Sequence, residues 1–597
     1  MPIQVTGMAP YASFIVAHAK SSPVDFAKMR RQIKAYLTGS AFSLNILRMP
    51  ASTPGVTTFG YHLTESRQIG WAGINVLADQ LNHLITCVGL GEFALIYVSD
   101  SELKAEFHNR LYTGGIHDWE PADQSVLVDA YVKGQSLKAL WLGGAHRSVS
   151  YRPSSKVLSG IHLQDAIDPF GDSTFVAGSV RTAGGGVSLK RSGLWFRPCK
   201  DWADFQSLAH TALMELNARQ AIITTLSPEV HHGLARHLEN FSGVSDAYAV
   251  QWTDVETITG KARTERLERL STDHQLEIAT LPSLASPEHI GLNITVKSTG
   301  ATHLISLFPH VDAGRVCLAS STIPSAVQSC TEAILADPAL IKIYYNSGHT
   351  IADSTLSIAA IQDREFILEY CDFDPPGTTY TITDEKPPGN PVPIADMFSA
   401  TDTSLFKWVF KDGLRAMNLS QPQTGRCWLY CDDGSGEVAD FIHVDLQRNT
   451  MTTVPCITLI HVKGADNNSP GRKVAVGPYE LVTAQAMKNL RRIIAREMLP
   501  ELKKSVATHG DQRVWDTPWA LNLLSSPGTG AAMLAALETI HAKCDFEVII
   551  VQPHVRKTTY EANPNQTAAR QLRSLLFGAE ALTHAAGAKF RVICDRT

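Results

Sequence analysis

The stretch from Trp428 to Arg496 constrains the fold more than any other part of the chain. It carries Glu437 and Asp440 into an apolar run (residues 436–442, GEVADFI). A β-branched run follows and ends on His461 and Lys463 (residues 459–463, LIHVK). Last comes a helical pattern (residues 479–489, YELVTAQAMKN) that sets Gln485, Lys488 and Arg492 on one side. Strand, strand, helix is an α/β order. An acid inside an apolar strand is costly unless it is paired or bound to a metal, so Asp440 is the prime candidate. Asp432 and Asp433 are expected to be exposed and therefore weaker candidates. A turn over residues 447–450 (QRNT) would let the two strands pair and gather Asp440, His461 and Lys463. Lys463 lies two residues beyond His461 and shares its face.

Phosphodiester hydrolysis suits such a set. A divalent cation activates water and neutralises developing charge. Carboxylates are the natural ligands of Mg²⁺, and a nearby lysine stabilises charge on the phosphorus centre. The net charge of the whole chain is −5, so any polyanion surface must be local. From His461 to Gly510 there are nine Lys and Arg against four acids. Arg472, Lys473, Lys488, Arg491 and Arg492 are the candidate nucleic-acid contacts within it. The alternative is a solvated helix face, but the Arg492–Arg496 spacing places like charges together.

The remainder divides in three. The 597 residues are 44% hydrophobic and 19% charged, enough for three or four globular domains at roughly 100–200 residues each. Residues 1–280 read as an α/β region in which strands alternate with helices, which suggests a mainly parallel sheet. Phe93–Val98 is a strand followed by a helix capped by Ser99 or Asp100, and Asp201 caps a second helix. Residues 157–169 (VLSGIHLQDAIDP) are expected to form a short helix stopped by Pro169, and the run VHHGLARH (230–237, with His231, His232 and His237) a surface helix. TAGGGVS at 182–188 reads as a hairpin turn, since no phosphate-loop lysine follows. His146, Arg147, Arg152 and Lys156 could meet phosphate or line a solvated loop. Residues 281–400 read as a small, mostly β domain closed by a Pro-rich linker at 386–393. Residues 401–597 return to α/β, with Trp515 and Trp519 in a less regular stretch. Gly528, Thr529 and Gly530 form a tight turn into a helix and lack a phosphate-loop lysine.

The ten cysteines are scattered. Cys427 and Cys431 share a strand face without the further pair that a zinc site needs. No window is long and apolar enough to span a membrane, and the chain is expected to be cytoplasmic.

Residues 436–442, 459–463 and 479–489 resemble the core of the PD-(D/E)XK nuclease superfamily. More narrowly, residues 400–597 are similar to the C-terminal nuclease-like region of bacterial helicase-associated proteins of phage-defence and restriction type. The resemblance implies a restriction-endonuclease-like α/β domain that cuts DNA with Mg²⁺ or Mn²⁺. It implies Asp440 as a metal ligand and His461 at the position of the second acidic ligand. Lys463 would be the catalytic lysine, Gln485 the helix glutamine and Glu437 an extra ligand. It also implies a separate helicase or ATPase partner in an anti-phage system. His461 departs from the usual acid, and imidazole favours Mn²⁺ over Mg²⁺. A catalytically inactive nuclease fold that holds DNA, or a scaffold subunit, is the alternative.

Overall fold

The computed structural model describes residues 5–596 apart from 40–41, 51–52, 70, 72–76, 113, 148–151, 161–162, 164–166, 169–170, 224–229, 232, 259–260, 280–290, 299, 313, 322, 360–365, 376, 390, 398, 448–453, 495–496, 518–528 and 541–542. The chain divides into two compact units, 1–364 and 365–597. The expected boundaries at 280 and 400 differ from this division.

The first unit opens with an 11-stranded sheet drawn from residues 11–198. Every pairing in it is antiparallel, which corrects the parallel sheet expected from the sequence. The reason is local. Ala78–Leu90 and Phe93–Val98 are joined through Gly91 and Glu92, with Gly91 at φ +60. So short a connection reverses the chain, whereas a parallel pair needs a crossover of a dozen residues or more. Apolar residues fill both faces. Phe14 and Val16 of Tyr11–Ala19 pack toward the Trp202–Gln220 helix. Ile15 and Ala17 pack with Ile33 of Phe26–Thr38 and Phe107 of Ser101–Tyr112. Both expected caps are present: the Asp100 carboxylate accepts from Leu103 N–H, and that of Asp201 from Asp204 N–H. The glycine run is a hairpin between Phe175–Thr182 and Gly186–Ser188.

The same unit ends in a five-stranded and a four-stranded antiparallel sheet that share one apolar core. Their strands run from Arg236–Leu238 to Thr355–Ile358, so the mostly-β part starts before 280 and stops before 360. Arg236–Leu238 is a strand against Thr355–Ile358, not the surface helix expected there, and His232 lies outside the described residues. Ser155–Ser159 is also a strand, so the helix expected over 157–169 does not start there, and residues 161–162, 164–166 and 169 of it lie outside the described residues.

The second unit is a seven-stranded mixed sheet. Its order is Glu369–Cys371, Ala588–Asp595, Asp545–Arg556, Cys456–Val462, Phe441–Asp445, Cys427–Cys431, Val514–Trp515. Neighbours among the first four strands pair parallel, and neighbours among the last four pair antiparallel. Ile442, Val444, Ile457 and Leu459 face the helices Gly477–Ile494, Met498–His509, Thr529–Ile540 and Thr567–Ala585. Phe441, Ile460 and Val462 face Leu405, Trp408 and Leu414 on the other side. With both faces covered, the strands read as continuous apolar runs. The Pro-rich segment at 386–393 belongs to this unit: Val392 N–H donates to Asp433 at 2.7 Å. The 448–450 part of the expected turn, Arg496, Trp519 and Gly528 lie outside the described residues.

Candidate metal centre

The connection between Cys427–Cys431 and Phe441–Asp445 organises the acids. Cys431 pairs with Phe441, and Asp432 N–H then donates to the Asp440 carbonyl at 3.0 Å. The ladder thus runs one residue further on each strand, and residues 433–439 close a tight loop. Gly434 (φ +154) and Gly436 (φ +85) supply backbone conformations that a side chain would strain. Arg492 Nη2 donates to the Gly436 carbonyl at 2.8 Å and pins the loop from the Gly477–Ile494 helix.

Asp433, Glu437 and Asp440 each place a carboxylate oxygen within 4.8 Å of the others. Asp433 is wholly buried, takes the Val392 N–H and pairs with the Lys386 ammonium. Glu437 is half-buried and accepts Gly434 N–H at 3.0 Å. Asp440 is 6% exposed and accepts Val462 N–H at 2.7 Å. Burial, followed by the charge of Glu437, pushes the Asp440 carboxyl well above its ordinary range, against the pull of the Val462 amide. Burial also raises Glu437. Asp432, 2% exposed, is raised by burial while it accepts Val438 N–H at 2.7 Å and the Ser505 hydroxyl. Asp432 and Asp433 are therefore buried, contrary to the exposure expected of them. The flanking glycines fold them inward, and their partners Lys386, Val392 and Ser505 are distant in sequence. The glycines around the acid pair are the one signal that could have marked Asp433.

The other candidates separate. Lys463 pairs with Glu385 at 2.6 Å, and the charge of Glu385 reaches Asp440. His461 is 2% exposed, and its Nε2 has no hydrogen-bond partner. Burial, then the charge of Lys488, lowers its imidazole to about 4, so it is neutral at pH 7. It is not part of the carboxylate group, although the Val462 amide next to it holds Asp440. Gln485 is half-buried on the Gly477–Ile494 helix; Lys488 and Arg491 of that helix are exposed, as is Lys473. Arg472 is buried, donates to the His554 and Pro553 carbonyls and pairs with Asp595. Arg492 is also buried. Neither arginine offers its charge to a DNA backbone, which corrects their expected role: Arg472 is engaged by Asp595 and two internal carbonyls, and Arg492 by the Gly436 carbonyl and an ion pair with Glu501.

A trio of carboxylate oxygens is a hard donor set that fits Mg²⁺ or Mn²⁺. Among the described residues no other group of three His, Cys, Asp or Glu side chains comes together in this way. Comparison of the chain with family models, curated proteins and solved structures finds no match.

Proposed function

We propose that residues 365–597 form a divalent-cation-dependent phosphodiesterase acting on DNA, with Asp433, Glu437 and Asp440 holding the cation. The observation that carries this reading is the convergence of three carboxylates, two of them with raised proton affinity, at the end of a mixed sheet. Carboxylates that bind protons too readily because they are buried, and then because they face one another, are relieved by a cation. A bound Mg²⁺ or Mn²⁺ would supply a polarised phosphoryl oxygen and an activated water. The chain's own residues do the rest. The Val462 N–H fixes one oxygen of Asp440. Lys386 offsets the charge of Asp433. Lys463, now held by Glu385, is the cation that would exchange this partner for a substrate phosphate. The exposed Lys473, Lys488 and Arg491 suit contacts to the DNA backbone. A separate helicase or ATPase of an anti-phage system is the proposed activator, on the strength of the sequence resemblance.

A second reading is a DNA-holding subunit without activity. It is favoured by the partners that the carboxylates already possess: Lys386, and the amides of Val392, Gly434 and Val462. Cleavage of plasmid and linear DNA by the purified chain, in Mg²⁺ and separately in Mn²⁺, decides between them. Cleavage lost in both Asp440→Asn and Lys463→Ala supports the phosphodiesterase. DNA binding without cleavage, with and without the partner ATPase, supports the holding subunit.

A further inference from the structure

The first unit contains a cleft on one face of its 11-stranded sheet, unrelated to the carboxylate centre. Trp141, Ser179, Ser188 and Gly193 are successive cross-strand partners, and Ile15 pairs with Gly193 next. Beyond Ile15 the Ser101–Tyr112 helix covers this face with Leu103, Phe107 and Leu111. Short of it the row is polar and open. The Trp195 ring lies across Gly186, where a Cβ would stand 1.9 Å from the indole, so only glycine admits it. Trp141 meets Trp195 edge to face at 6.1 Å. Two adjoining cavities result, of about 390 and 260 Å³, and Ser179, Ser188 and Arg191 line both. Trp141, Lys190 and Arg315 line the larger; Ser13, Lys104, His108 and Trp195 line the smaller.

The charges in the cleft are unequal. Lys190 is paired with Asp353 and Lys342 with Asp254. Among the described residues, no carboxylate forms an ion pair with Lys104 or Arg191. Lys104 Nζ donates to Ser13 Oγ at 2.7 Å, and no other partner is seen for its ammonium. Burial, then the nearby charge of Arg191, lowers Lys104 to about 8. His108 is driven down to about 3 by burial and by the charges of Arg315 and Arg191, so it adds no positive charge at neutral pH. Glu256 and Asp353 also line the larger cavity, and the Asp353 charge reaches Arg191, but Lys104 has only the Ser13 hydroxyl. Two cations that repel each other beside hydroxyls, with no carboxylate paired to Lys104, leave a place for an anion. The partly exposed Trp141 offers an aromatic surface beside them.

We propose that this cleft binds a nucleotide, its phosphates on Lys104, Arg191 and the serine hydroxyls and its base against Trp141. A phosphate oxygen takes charge-assisted hydrogen bonds from both cations. The indole supplies a stacking surface that accepts any base. The combined cavity size suits a small ligand, not a strand.

The test is a calorimetric titration of the full-length chain with ADP, adenosine, inorganic phosphate and a single-stranded oligonucleotide. ADP is expected to bind, and phosphate to compete with it more weakly. Arg191→Gln and Lys104→Gln each weaken ADP by at least ~10-fold, the loss of about one charge-assisted bond. Arg191 is exposed, and Arg191→Gln relieves its repulsion with Lys104, so this variant is expected to hold or raise the unfolding midpoint and shows that weakened ADP binding is not unfolding. Trp141→Ala weakens ADP and leaves phosphate unaffected. No binding of ADP or phosphate at millimolar concentration overturns the proposal, as does ADP binding that both cation variants leave intact. Binding of the oligonucleotide alone makes the cleft a nucleic-acid surface instead. An ADP affinity unchanged in Trp141→Ala removes the base from its assigned place.

Discussion

Two charged regions of residues 365–597 stand in contrast. Of the acids of 432–440, Asp432 and Asp433 look exposed in the sequence and Asp440 does not, yet all three are buried. The basic residues of 472–492 look like one cationic surface, yet they split: Arg472 and Arg492 are internal, and Lys473, Lys488 and Arg491 face solvent. Charge count alone separates neither region. What separates them is whether backbone groups can satisfy the side chain. Amide N–H groups at 392, 434, 438 and 462 donate to carboxylate oxygens, while carbonyls at 436, 553 and 554 accept from arginine donors.

The largest test of this contrast is Arg472→Met. It removes one partner of a buried ion pair and leaves the Asp595 carboxylate, 3% exposed, without it. The expected loss is about 3–5 kcal/mol of stability by chemical denaturation. If stability is unchanged while DNA affinity drops, Arg472 belongs with the exposed cations after all.

Next is Asp440→Asn, which keeps an oxygen for the Val462 amide and removes one negative charge from the cluster. Cleavage is expected to fall at least ~100-fold, more than the loss of a supporting group around a metal ordinarily costs. In chelator the same variant is expected to be more stable than the wild type, and the gap depends on pH. The folded-state affinity of Asp440 for protons is raised, so the folded chain holds more protons than the unfolded one. The contribution of the group to stability is thus full below its ordinary value of 3.8 and is lost as pH rises above it. Thermal melts of both proteins in chelator from pH 4 to 8 should show the variant gaining on the wild type as pH rises. A gap that stays constant would mean that Asp440 is not crowded.

The exposed side of the contrast is sharpened by the double variant Lys488→Ala, Arg491→Ala. Its stability should move by no more than ~0.5 kcal/mol. The slope of log affinity for DNA against log salt should shrink by about 2, near one unit for each lost phosphate contact. A filter-binding series across salt concentration measures it, and an unchanged slope would place the DNA elsewhere.

The smallest expected effect is that of His461→Leu. The buried, unpartnered Nε2 costs free energy, so an apolar substitute should leave the unit as stable or stabilise it by about 1 kcal/mol. A clear loss of cation affinity in this variant would draw His461 into the metal centre.

Much of the second unit was legible in the sequence because its strands are buried on both faces. The apolar runs at 441–445 and 456–462 and the helix at 477–494 stand close to where their patterns placed them. Glu437 and Asp440 were legible too, as acids entering such a run. Asp433 was not, because its partners arrive from Lys386 and Val392, in a segment whose prolines suggested a linker. In the first unit the alternation of strands and helices suggested parallel crossovers. The chain instead reverses at short turns such as Gly91–Glu92, and the helices pack onto the sheet without linking parallel neighbours. The cleft at Lys104 and Arg191 had no local signature: its residues come from strands and a helix far apart in sequence, and only the antiparallel register brings them together.

The central claim, that Asp433, Glu437 and Asp440 form a cation site, is tested most directly by calorimetric titration of Mn²⁺ into the metal-free full-length chain and into Asp440→Asn. Saturable binding by the wild type that is lost in the variant is the expected result. No binding by the wild type, or equal binding by both, would contradict it and leave the loop as an internal charge network without a cation.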